Sequence, residues 1–255
     1  MPEGPKVRRM FAAIASRYDL LNRLLSFRRD VAWRKAAVRA AGIGSPRDRV
    51  LDICTGTGDL ALQFRESHPE LETIIGTDFC PEMVVLADRK ARRDASPNRP
   101  AFGVADSLKL PFADASFDVV TVGFGIRNVA DLRQGLAEMY RVLTPGGRAV
   151  VLEFSEPTAP VFRHLYRFYF HSLLPRVGQW LSKSPDDAYR YLPESVARFP
   201  DRWTLARLLE EVGFEKIDIR PLTLGIAVIH VGNRPESDAA SRGSSRSAVA
   251  ASPAI

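Results

Sequence analysis

Three aspartates, Asp52, Asp78 and Asp106, each lie in or directly after a short β-type apolar run. If these runs are neighbouring parallel strands, their carboxyl ends meet at one edge of a sheet, which is where such sheets bind ligands. There the carboxylate of Asp78 can accept hydrogen bonds from both hydroxyls of a ribose. Asp106, with Ser107 beside it, can accept one from the exocyclic amine of adenine, or it can serve only as a turn or helix-cap residue. The spacing therefore predicts a nucleoside site.

A glycine-rich turn follows the first of these runs. Gly56 and Gly58, on either side of Thr57, let the backbone approach a ligand closely, and the helix that follows offers free N–H groups. The G-x-G-x-x-A spacing also fits a dinucleotide fingerprint, so an NAD-dependent oxidoreductase is the alternative. Asp52 and Asp59 bracket the turn with acids, which suit an ammonium and a sulfonium better than a diphosphate. The turn therefore favours S-adenosylmethionine.

These residues require a scaffold of alternating strands and helices, and the sequence beyond residue 45 has that pattern. The β-type runs are 49–54, 72–78, 101–105, 117–124, 148–154, 214–221 and 226–232. Helical stretches lie between the first five at 58–68, 80–94 and 131–143. Near-continuous apolar strands that alternate with helices indicate a parallel sheet covered on both faces. The last two runs are separated by a short loop and are predicted to close the sheet as an antiparallel pair.

Three further segments flank or interrupt this alternation. Residues 1–45 hold an amphipathic helix followed by a second helical stretch, and we expect them to form a helical lid. The apolar stripe of the first helix consists of Val7, Met10, Phe11, Ile14, Tyr18, Leu21 and Leu25. Residues 156–202, rich in aromatic side chains, are predicted to be a helical insertion before the last two strands. We expect one domain over residues 1–233 and a disordered tail over 234–255.

The composition narrows the class of protein. Apolar residues make up 45% of the 255 residues, so a sizeable core can form without disulfides or structural metals. Cys54 and Cys80 have no paired metal-ligand spacing, so we predict reduced thiols and no metal site. We expect no secretory signal and no spanning helix, which needs roughly 18 apolar residues. Residues 1–49 carry twelve Lys and Arg residues against four acids. These basic side chains are either simply solvated or in contact with an anionic membrane or nucleic acid.

Five short motifs occur in a fixed order along residues 8–233. They are 18–26 (YDLLNRLLS, with Trp33 beyond it), 123–129 (GFGIRNV), 141–155 (RVLTPGGR through LEFS), 184–195 (SP and YRYLPES), and 222–230 (LT, Gly225 and His230). Together they resemble the signatures of the menaquinone/ubiquinone biosynthesis C-methyltransferases. The resemblance implies a class I, Rossmann-like methyltransferase fold in the α/β class, with a seven-stranded, mostly parallel sheet and helices on both faces.

By this resemblance, the methyl group of S-adenosylmethionine goes to a ring carbon of a polyprenyl hydroquinone. The acceptor is demethylmenaquinol or the methoxy-benzoquinol of ubiquinone synthesis. The ring carbon becomes nucleophilic when the proton of the neighbouring hydroxyl is removed or strongly polarised. Arg127 and Asn128 are the candidate catalytic residues, because Arg127 can stabilise a phenolate. The alternative is that Arg127 only pairs with a carboxylate and Asn128 only caps a helix.

The resemblance also implies binding residues. Those expected at the cofactor are Gly56, Thr57, Gly58, Asp78, Asp106, Ser107 and Gly123. Tyr18, Asp19 and Asn22 are expected to contact the substrate from the lid, although such residues also occur in ordinary amphipathic helices. The chain departs from the family pattern at Asp30, where His is frequent, and at Gly123, where Ser is frequent. The aromatic side chains of residues 156–202 either form core or line a passage for the prenyl tail.

The expected partner is the quinol itself, collected by a cytoplasmic enzyme in peripheral contact with the inner face of the membrane. The basic residues of the N-terminal helix would then lie against anionic lipid. We expect no nucleic-acid partner, and a homodimer is one candidate assembly. A class I methyltransferase for another small molecule is the second enzyme alternative. The NAD-dependent alternative lacks an evident hydride-transfer set, since no tyrosine of the insertion is followed by lysine in Tyr-x-x-x-Lys spacing.

Overall fold

The strands expected from the alternating pattern form one sheet in the computed structural model, which describes residues 4–94, 96–157 and 188–236. Within these ranges the strands are β1 (Arg49–Ile53), β2 (Thr73–Asp78), β3 (Ala101–Val104), β4 (Phe117–Gly123), β5 (Leu143–Phe154), β6 (Glu215–Leu222) and β7 (Ala227–Asn233). Their order is β3-β2-β1-β4-β5-β7-β6. Strands β1 to β5 pair in parallel, and β7 pairs antiparallel with both of its neighbours. The predicted seven-stranded, mostly parallel sheet is confirmed.

Helices connect these strands, and capping residues mark where several of the helices begin or end. The helices of the described residues are α1 (Gly4–Leu25), α2 (Arg29–Ala41), α3 (Asp59–Ser67), α4 (Pro81–Ala91), α5 (Leu132–Val142), α6 (Ala188–Arg198) and α7 (Arg202–Val212). Short 3-10 turns lie at Ile126–Asn128 and Thr223–Gly225. The carboxylate of Asp131 caps α5, and that of Asp201 caps α7 by accepting two backbone N–H groups. Gly42, at φ 61°, ends α2 in the left-handed conformation that glycine adopts without strain.

The core lies on both faces of the sheet, because successive strand residues point in opposite directions. On one face, Val50 of β1 packs in a cluster with Trp33 of α2 and Phe64 of α3. On the other face, Leu51 packs with residues of α5 and α7, among them Met139. Helices therefore cover both faces of the sheet.

The second helical stretch of the predicted lid belongs to this core. Ala37 is fully buried, Val38 and Ala41 are 1% exposed, and all three pack in the cluster that contains Trp33. Four-residue spacing brings small side chains to one face of α2, so the helix can approach the sheet closely. The expectation that residues 1–45 form a lid is therefore wrong for α2, which is a structural layer.

Helix α1 lies elsewhere, against α4. Its residues Val7, Met10 and Ile14 are buried, and Ala15 packs on Met83 of α4. These residues of the apolar stripe expected in the lid are therefore covered by the protein itself. Among the large apolar side chains of α1 that the structure describes, Leu20 and Leu24 are exposed, at 69% and 52%.

The two outer strands of the sheet are β3 and β6. Strand β3 has four residues. Strand β6 shifts register between Glu215 and Asp218, has Lys216 at φ 52°, and contains Pro221. A register shift of this kind bends the strand locally, and proline removes a backbone donor.

Part of the predicted insertion falls within the described residues. Helix α6 confirms helical structure over 188–198, whereas the expectations for 158–187 and for 237–255 lie outside the described residues. Helix α7, for which we predicted no element, runs from Arg202 to Val212. Among the described helices, none has the length and apolar character needed to cross a bilayer.

Candidate active site

A cavity opens at the carboxyl ends of the parallel strands, beside the glycine turn between β1 and α3. It brings together eight of the twelve residues predicted for the site. Those that line it are Tyr18, Gly56, Thr57, Asp78, Asp106, Ser107, Gly123 and Asn128. Asp19, Asn22, Gly58 and Arg127 do not line it. The topology explains the position, because β1 lies between β2 and β4 and the chain reverses direction across the sheet at this point.

The two glycines of the turn have different roles. Both have positive φ, 55° at Gly56 and 81° at Gly58. A Cβ atom on Gly58 would lie 2.7 Å from the ring of Phe102, whereas a Cβ on Gly56 would meet only Tyr18, at 4.0 Å. Gly56 therefore permits close approach of a ligand. Gly58 does not line the cavity, and its missing side chain makes room for packing on β3; its contact with the cofactor stays a prediction.

Asp78 ends β2 with its carboxylate fixed by the backbone. One oxygen accepts the N–H of Gly56 at 2.8 Å, and the other accepts the N–H of Cys80 at 2.9 Å. Burial raises the pKa of this carboxyl, and the backbone donors counteract that effect. A carboxylate has about four lone-pair sites, so two remain for ligand hydroxyls.

Asp52 lies on the floor of the cavity and is 1% exposed. Its two oxygens accept hydrogen bonds from the hydroxyls of Thr55, at 2.5 Å, and Thr121, at 2.8 Å. Burial raises the pKa of Asp52 to about 7, although the two hydroxyl donors act in the opposite direction. A cationic group in the cavity would favour the ionised form of this acid.

Asp106 and Ser107 form the wall of the cavity after β3. One carboxylate oxygen of Asp106 accepts the N–H of Leu108 at 2.9 Å, which is the turn interaction considered above, and the residue also lines the cavity. The hydroxyl of Ser107 and the thiol of Cys54 are 3.2 Å apart. Burial raises the pKa of the Cys54 thiol, so this sulfur stays protonated.

Asp59 is not the free acid that the bracketing of the turn implied. Its carboxylate pairs with Lys90 of α4 and with Arg34 of α2, the latter at 3.4 Å. The pKa of Asp59 is lowered: burial alone would raise it, but Arg34 and Lys90 outweigh that effect. The negative charge offered to a ligand therefore comes from the strand-end acids.

Helix α1 contributes Tyr18, Asp19 and Asn22, which lie close together. Tyr18 lines the cavity, and burial raises the pKa of its phenol, while nearby Arg127 and a hydrogen bond with Asn22 lower it. Asp19 accepts a hydrogen bond from the hydroxyl of Thr57 at 2.5 Å. Of the three, Tyr18 lines the cavity and Asn22 hydrogen-bonds to it; contact of Asp19 and Asn22 with a substrate stays a prediction.

Arg127 lies differently from our prediction that it polarises a substrate oxygen. Its guanidinium donates to Glu153 at 2.9 Å and to the carbonyl of Phe124, and the ion pair is buried, with the side chains 5% and 0% exposed. Burial raises the pKa of Glu153, and the charge of Arg127 opposes that effect. The alternative of a carboxylate pair is the one found. Arg127 acts as a support beneath Phe124, which lines the cavity.

Asn128 lines the cavity and is held by the insertion. The hydroxyl of Tyr191, on α6, donates to its side-chain oxygen at 3.1 Å. Burial raises the pKa of Tyr191, so this phenol remains a donor. Because Tyr191 engages the amide oxygen, the amide NH₂ is the end that can donate toward the cavity.

Other residues line the cavity beyond those assigned to the site from the sequence. They are Phe11, Arg34, Asp52, Cys54, Thr55, Asp59, Leu60, Phe79, Met83, Leu108, Phe124, Gly125, Val129 and Ala130. Of these, Asp52 and Asp59 are the acids expected beside the glycine turn to suit a cationic ligand. Phe79 could have been found from its place directly after Asp78. Arg34 gave no such signal, because only the packing of α2 brings it to the glycine turn. Within the described residues, no group of three His, Cys, Asp or Glu side chains is placed to hold a metal ion.

Comparison with known sequences identifies close relatives over nearly the whole chain. The model of the ubiE/COQ5 methyltransferase family matches residues 2–234. A demethylmenaquinone methyltransferase of Deinococcus radiodurans is 50% identical over 91% of this chain and 94% of its own length. The ubiquinone/menaquinone biosynthesis C-methyltransferase UbiE of Geobacter sp. is 47% identical over 91% and 97%. A demethylmenaquinone methyltransferase of Thermus thermophilus is 50% identical over 89% and 100%.

Solved structures share the fold at low identity. A methyltransferase of Thermotoga maritima, described as S-adenosylmethionine-dependent, has a TM-score of 0.60 at 19% identity and covers 89% of this chain and 99% of its own. The [4+2]-cyclase SpnF has a TM-score of 0.67 at 17% identity, with 92% and 97% covered. The predicted class I methyltransferase architecture is confirmed. The cyclase demonstrates that this architecture alone does not define a reaction.

Proposed function

Because the chain belongs to the ubiE/COQ5 methyltransferase family, we propose that it transfers the methyl group of S-adenosylmethionine to a ring carbon of a polyprenyl hydroquinone. The family that the sequence motifs resemble is confirmed, and it favours methyl transfer over hydride transfer. Relatives are named for demethylmenaquinone alone or for ubiquinone and menaquinone together, so demethylmenaquinol and a methoxy-benzoquinol are the candidate acceptors. The observation that carries the proposal is a cavity with three acids at successive strand ends.

The residues of the cavity fit S-adenosylmethionine, which supplies an electrophilic methyl carbon on a cationic sulfur. Asp78 has lone pairs left for two ribose hydroxyls, and Asp106 has a second carboxylate oxygen that can accept from an amine. The buried Asp52 suits the ammonium end. Gly56 lets the backbone approach closely, and Phe79 and Met83 offer apolar surface to a base.

Catalysis would then depend on positioning more than on a strong base. The amide NH₂ of Asn128 can donate to the hydroquinone oxygen next to the reacting carbon and stabilise the phenolate formed when the hydroxyl proton passes to water; the proton of the methylated ring carbon leaves to water after transfer. Phe124 and Val129 give the cavity apolar lining near Asn128. Arg127 supports this wall through Phe124 and Glu153, so we assign it a positioning role.

The cofactor assignment is tested by Asp78→Ala. We expect binding of S-adenosylmethionine to weaken by about 1–3 kcal/mol, because two ribose hydroxyls lose a charged acceptor. Isothermal calorimetry measures the change. Asp88→Ala is the control, since Asp88 on α4 is partly exposed and pairs only with Arg92 among the ion pairs of the described residues. Equal affinities in folded Asp78→Ala and control proteins would remove Asp78 from the site.

The acceptor is tested by Asn128→Ala, with turnover measured on demethylmenaquinol and on the methoxy-benzoquinol. Loss of a donor to a developing oxyanion costs about 100-fold in turnover, whereas cofactor affinity should stay near that of the unchanged protein. Mass spectrometry of cellular quinones after loss of this chain identifies the natural head group. If neither quinol is methylated although the cofactor binds, another small molecule is the acceptor.

We also propose peripheral contact with a membrane, since a prenyl tail is held in lipid. The exposed side chains of Leu20 and Leu24, with Arg23 and Arg28 nearby in the chain, give an apolar and basic surface. Each arginine contributes up to about 1 kcal/mol at an anionic surface. We propose as well that the protein lies at the inner face of the membrane, can form a homodimer and has no nucleic-acid partner.

A further inference from the structure

Lys90 occupies an unusual position for a lysine on an outer helix. Its ammonium donates to Asp19 at 2.8 Å, to the hydroxyl of Thr57 at 3.1 Å and to Asp59. The side chain is 21% exposed, and those of Asp19 and Asp59 are 28% and 15% exposed. All three donors of the ammonium are therefore directed at oxygens of the protein.

The three partners belong to separate parts of the chain. Asp19 lies on α1, whereas Thr57 and Asp59 lie in and after the glycine turn. Thr57 also donates to Asp19, so the lysine closes a ring of polar contacts. Lys90 thus joins α1 to the turn from the far end of α4.

A second cation, the guanidinium of Arg34, belongs to the same cluster, but its described ion pairs do not reach α1 as that of Lys90 does. Arg34 pairs with Asp59 at 3.4 Å and with Asp30 at 2.7 Å, but both of its acids lie outside α1. Arg23 reaches Asp59 only at 3.9 Å and is half exposed. Of the described ion pairs, the short one that reaches α1 is therefore the pair of Lys90 with Asp19.

This contact lies directly beside the cavity wall. Tyr18, the neighbour of Asp19, lines the cavity, and its ring is 4.0 Å from where a Cβ on Gly56 would lie. Tyr18 also packs against the apolar cluster of Ala15, Cys80 and Met83, and its ring lies edge-on to that of Phe11. The placement of Tyr18 thus rests on apolar packing against α4 and on the polar contact of the residue that follows it.

We propose that Lys90 is a positioning residue for the cofactor site. Its ammonium holds Asp19 on the glycine turn, and this keeps Tyr18 in place as one wall of the cavity. Release of the cofactor requires these groups to separate. The inference rests on the proposed function only for the identity of the ligand, since the contacts themselves are independent of it.

The test compares Lys90→Gln with Arg89→Gln, a matched loss of charge on the same helix at an exposed residue. Stopped-flow measurement of S-adenosylmethionine release is expected to show about tenfold faster release from Lys90→Gln, which is about 1.4 kcal/mol. Arg89→Gln should release at the rate of the unchanged protein, and Lys90→Arg should restore much of the slow release. KM for the cofactor should rise more than kcat falls, because the lysine does not touch reacting atoms.

Added NaCl supplies a second readout, because it screens charges that solvent still reaches in part. Release from the unchanged protein should quicken with salt, and release from Lys90→Gln should change less. Asp19→Asn removes the same contact from the other side and takes over the test if Lys90→Gln does not fold. Equal release rates in Lys90→Gln, Asp19→Asn and the control overturn the proposal. Failure of the unchanged protein to bind S-adenosylmethionine would instead count against the proposed function.

Discussion

The first two helices are neighbours in the sequence with similar basic composition, yet they serve the site in different ways. Helix α2 is part of the sheet's apolar cover, with Ala37 and Val38 at 0% and 1% exposure. Helix α1 packs on α4 through an apolar cluster that includes Phe11 and Ala15, and Asp19 also ties it to the glycine turn. The difference teaches that two helices of similar charge pattern can belong to different layers of the molecule. What separates the two helices is that only α2 contributes to the clusters on the faces of the sheet.

Removal of residues 1–25 gives the sharpest distinction between the two helices. The truncated protein should still unfold cooperatively, because both sheet-face clusters consist of residues outside α1. Methylation should be abolished. The Kd for S-adenosylmethionine should rise by about tenfold or more, since Tyr18 is lost from the wall. Urea unfolding, calorimetry and a methylation assay measure these. A truncated protein that cannot fold would make α1 a core helix like α2.

Trp33→Ala tests the claim that α2 is structural. We expect the free energy of unfolding to fall by about 3–5 kcal/mol, as is usual when a large buried aromatic side chain is removed. Trp33 is 5% exposed and donates to the hydroxyl of Thr223 at 2.8 Å. The same urea titration on Trp33→Phe, which keeps a ring, should show a smaller loss. A change below about 1 kcal/mol for Trp33→Ala would contradict a structural role.

The acids of the site predict a pH dependence of cofactor affinity that arises in the sheet and is independent of helix α1. Asp52 has its pKa raised to about 7, so below that pH it is mostly protonated in the folded protein. A bound cation favours its ionised form, and affinity for S-adenosylmethionine should therefore rise by up to about tenfold as pH increases through 7. Calorimetry from pH 6 to 8 measures this rise. It should survive in Lys90→Gln and vanish in Asp52→Asn; a rise that persists in Asp52→Asn has another source.

Hydrogen exchange at two salt concentrations compares the helices directly. Because α1 is held partly by charges that solvent still reaches in part, NaCl should lower its opening free energy by up to about 1 kcal/mol. Its amides would then exchange about fivefold faster. The amides of α2 should be unaffected, since buried apolar contacts hold them. Mass spectrometry of the two helical segments gives the rates, and an equal response would remove the distinction.

The smallest expected change in stability is for Leu20→Ser, an exposed side chain of α1. The free energy of unfolding should stay within about 0.5 kcal/mol of its original value. Binding to anionic vesicles at low salt should nevertheless weaken, and binding to neutral vesicles should be negligible with or without the change. Vesicle co-sedimentation measures both. If Leu20→Ser and Leu24→Ser bind anionic vesicles as tightly as the unchanged protein does, the membrane contact lies on another surface.

The sheet, the glycine turn and the strand-end acids of the cavity could be predicted because short local sequence patterns define them. The run around Asp52 and the glycine turn fix a strand, a reversal and a helix within twelve residues. Asp78 and Asp106 then follow from strand ends that parallel pairing brings together. Their predicted places along the cavity match the structure.

The contacts that depend on side chains from distant elements could not be predicted in the same way. Nothing in the sequence next to Arg127 indicates Glu153, which comes into reach only when β4 and β5 pair. The same holds for Lys90, whose two acids lie 71 and 31 residues earlier in the chain. Gly58 shows a different limit of prediction from sequence. A glycine is needed both where another side chain packs closely and where a ligand approaches the backbone, so the residue type alone does not tell the two roles apart.

The outer strands of the sheet affect whether copies of the protein aggregate when they lie close together. Pairing between two copies would need a long, flat and unbroken row of backbone donors and acceptors, and β3 is too short to offer one. Strand β6 interrupts the row with its register shift and Pro221, and charged side chains project along it. An enzyme gathered at high density on a lipid surface would be exposed to aggregation if its sheet could extend into its neighbour. Because neither edge strand offers such a row, the sheet of one molecule does not extend into that of the next.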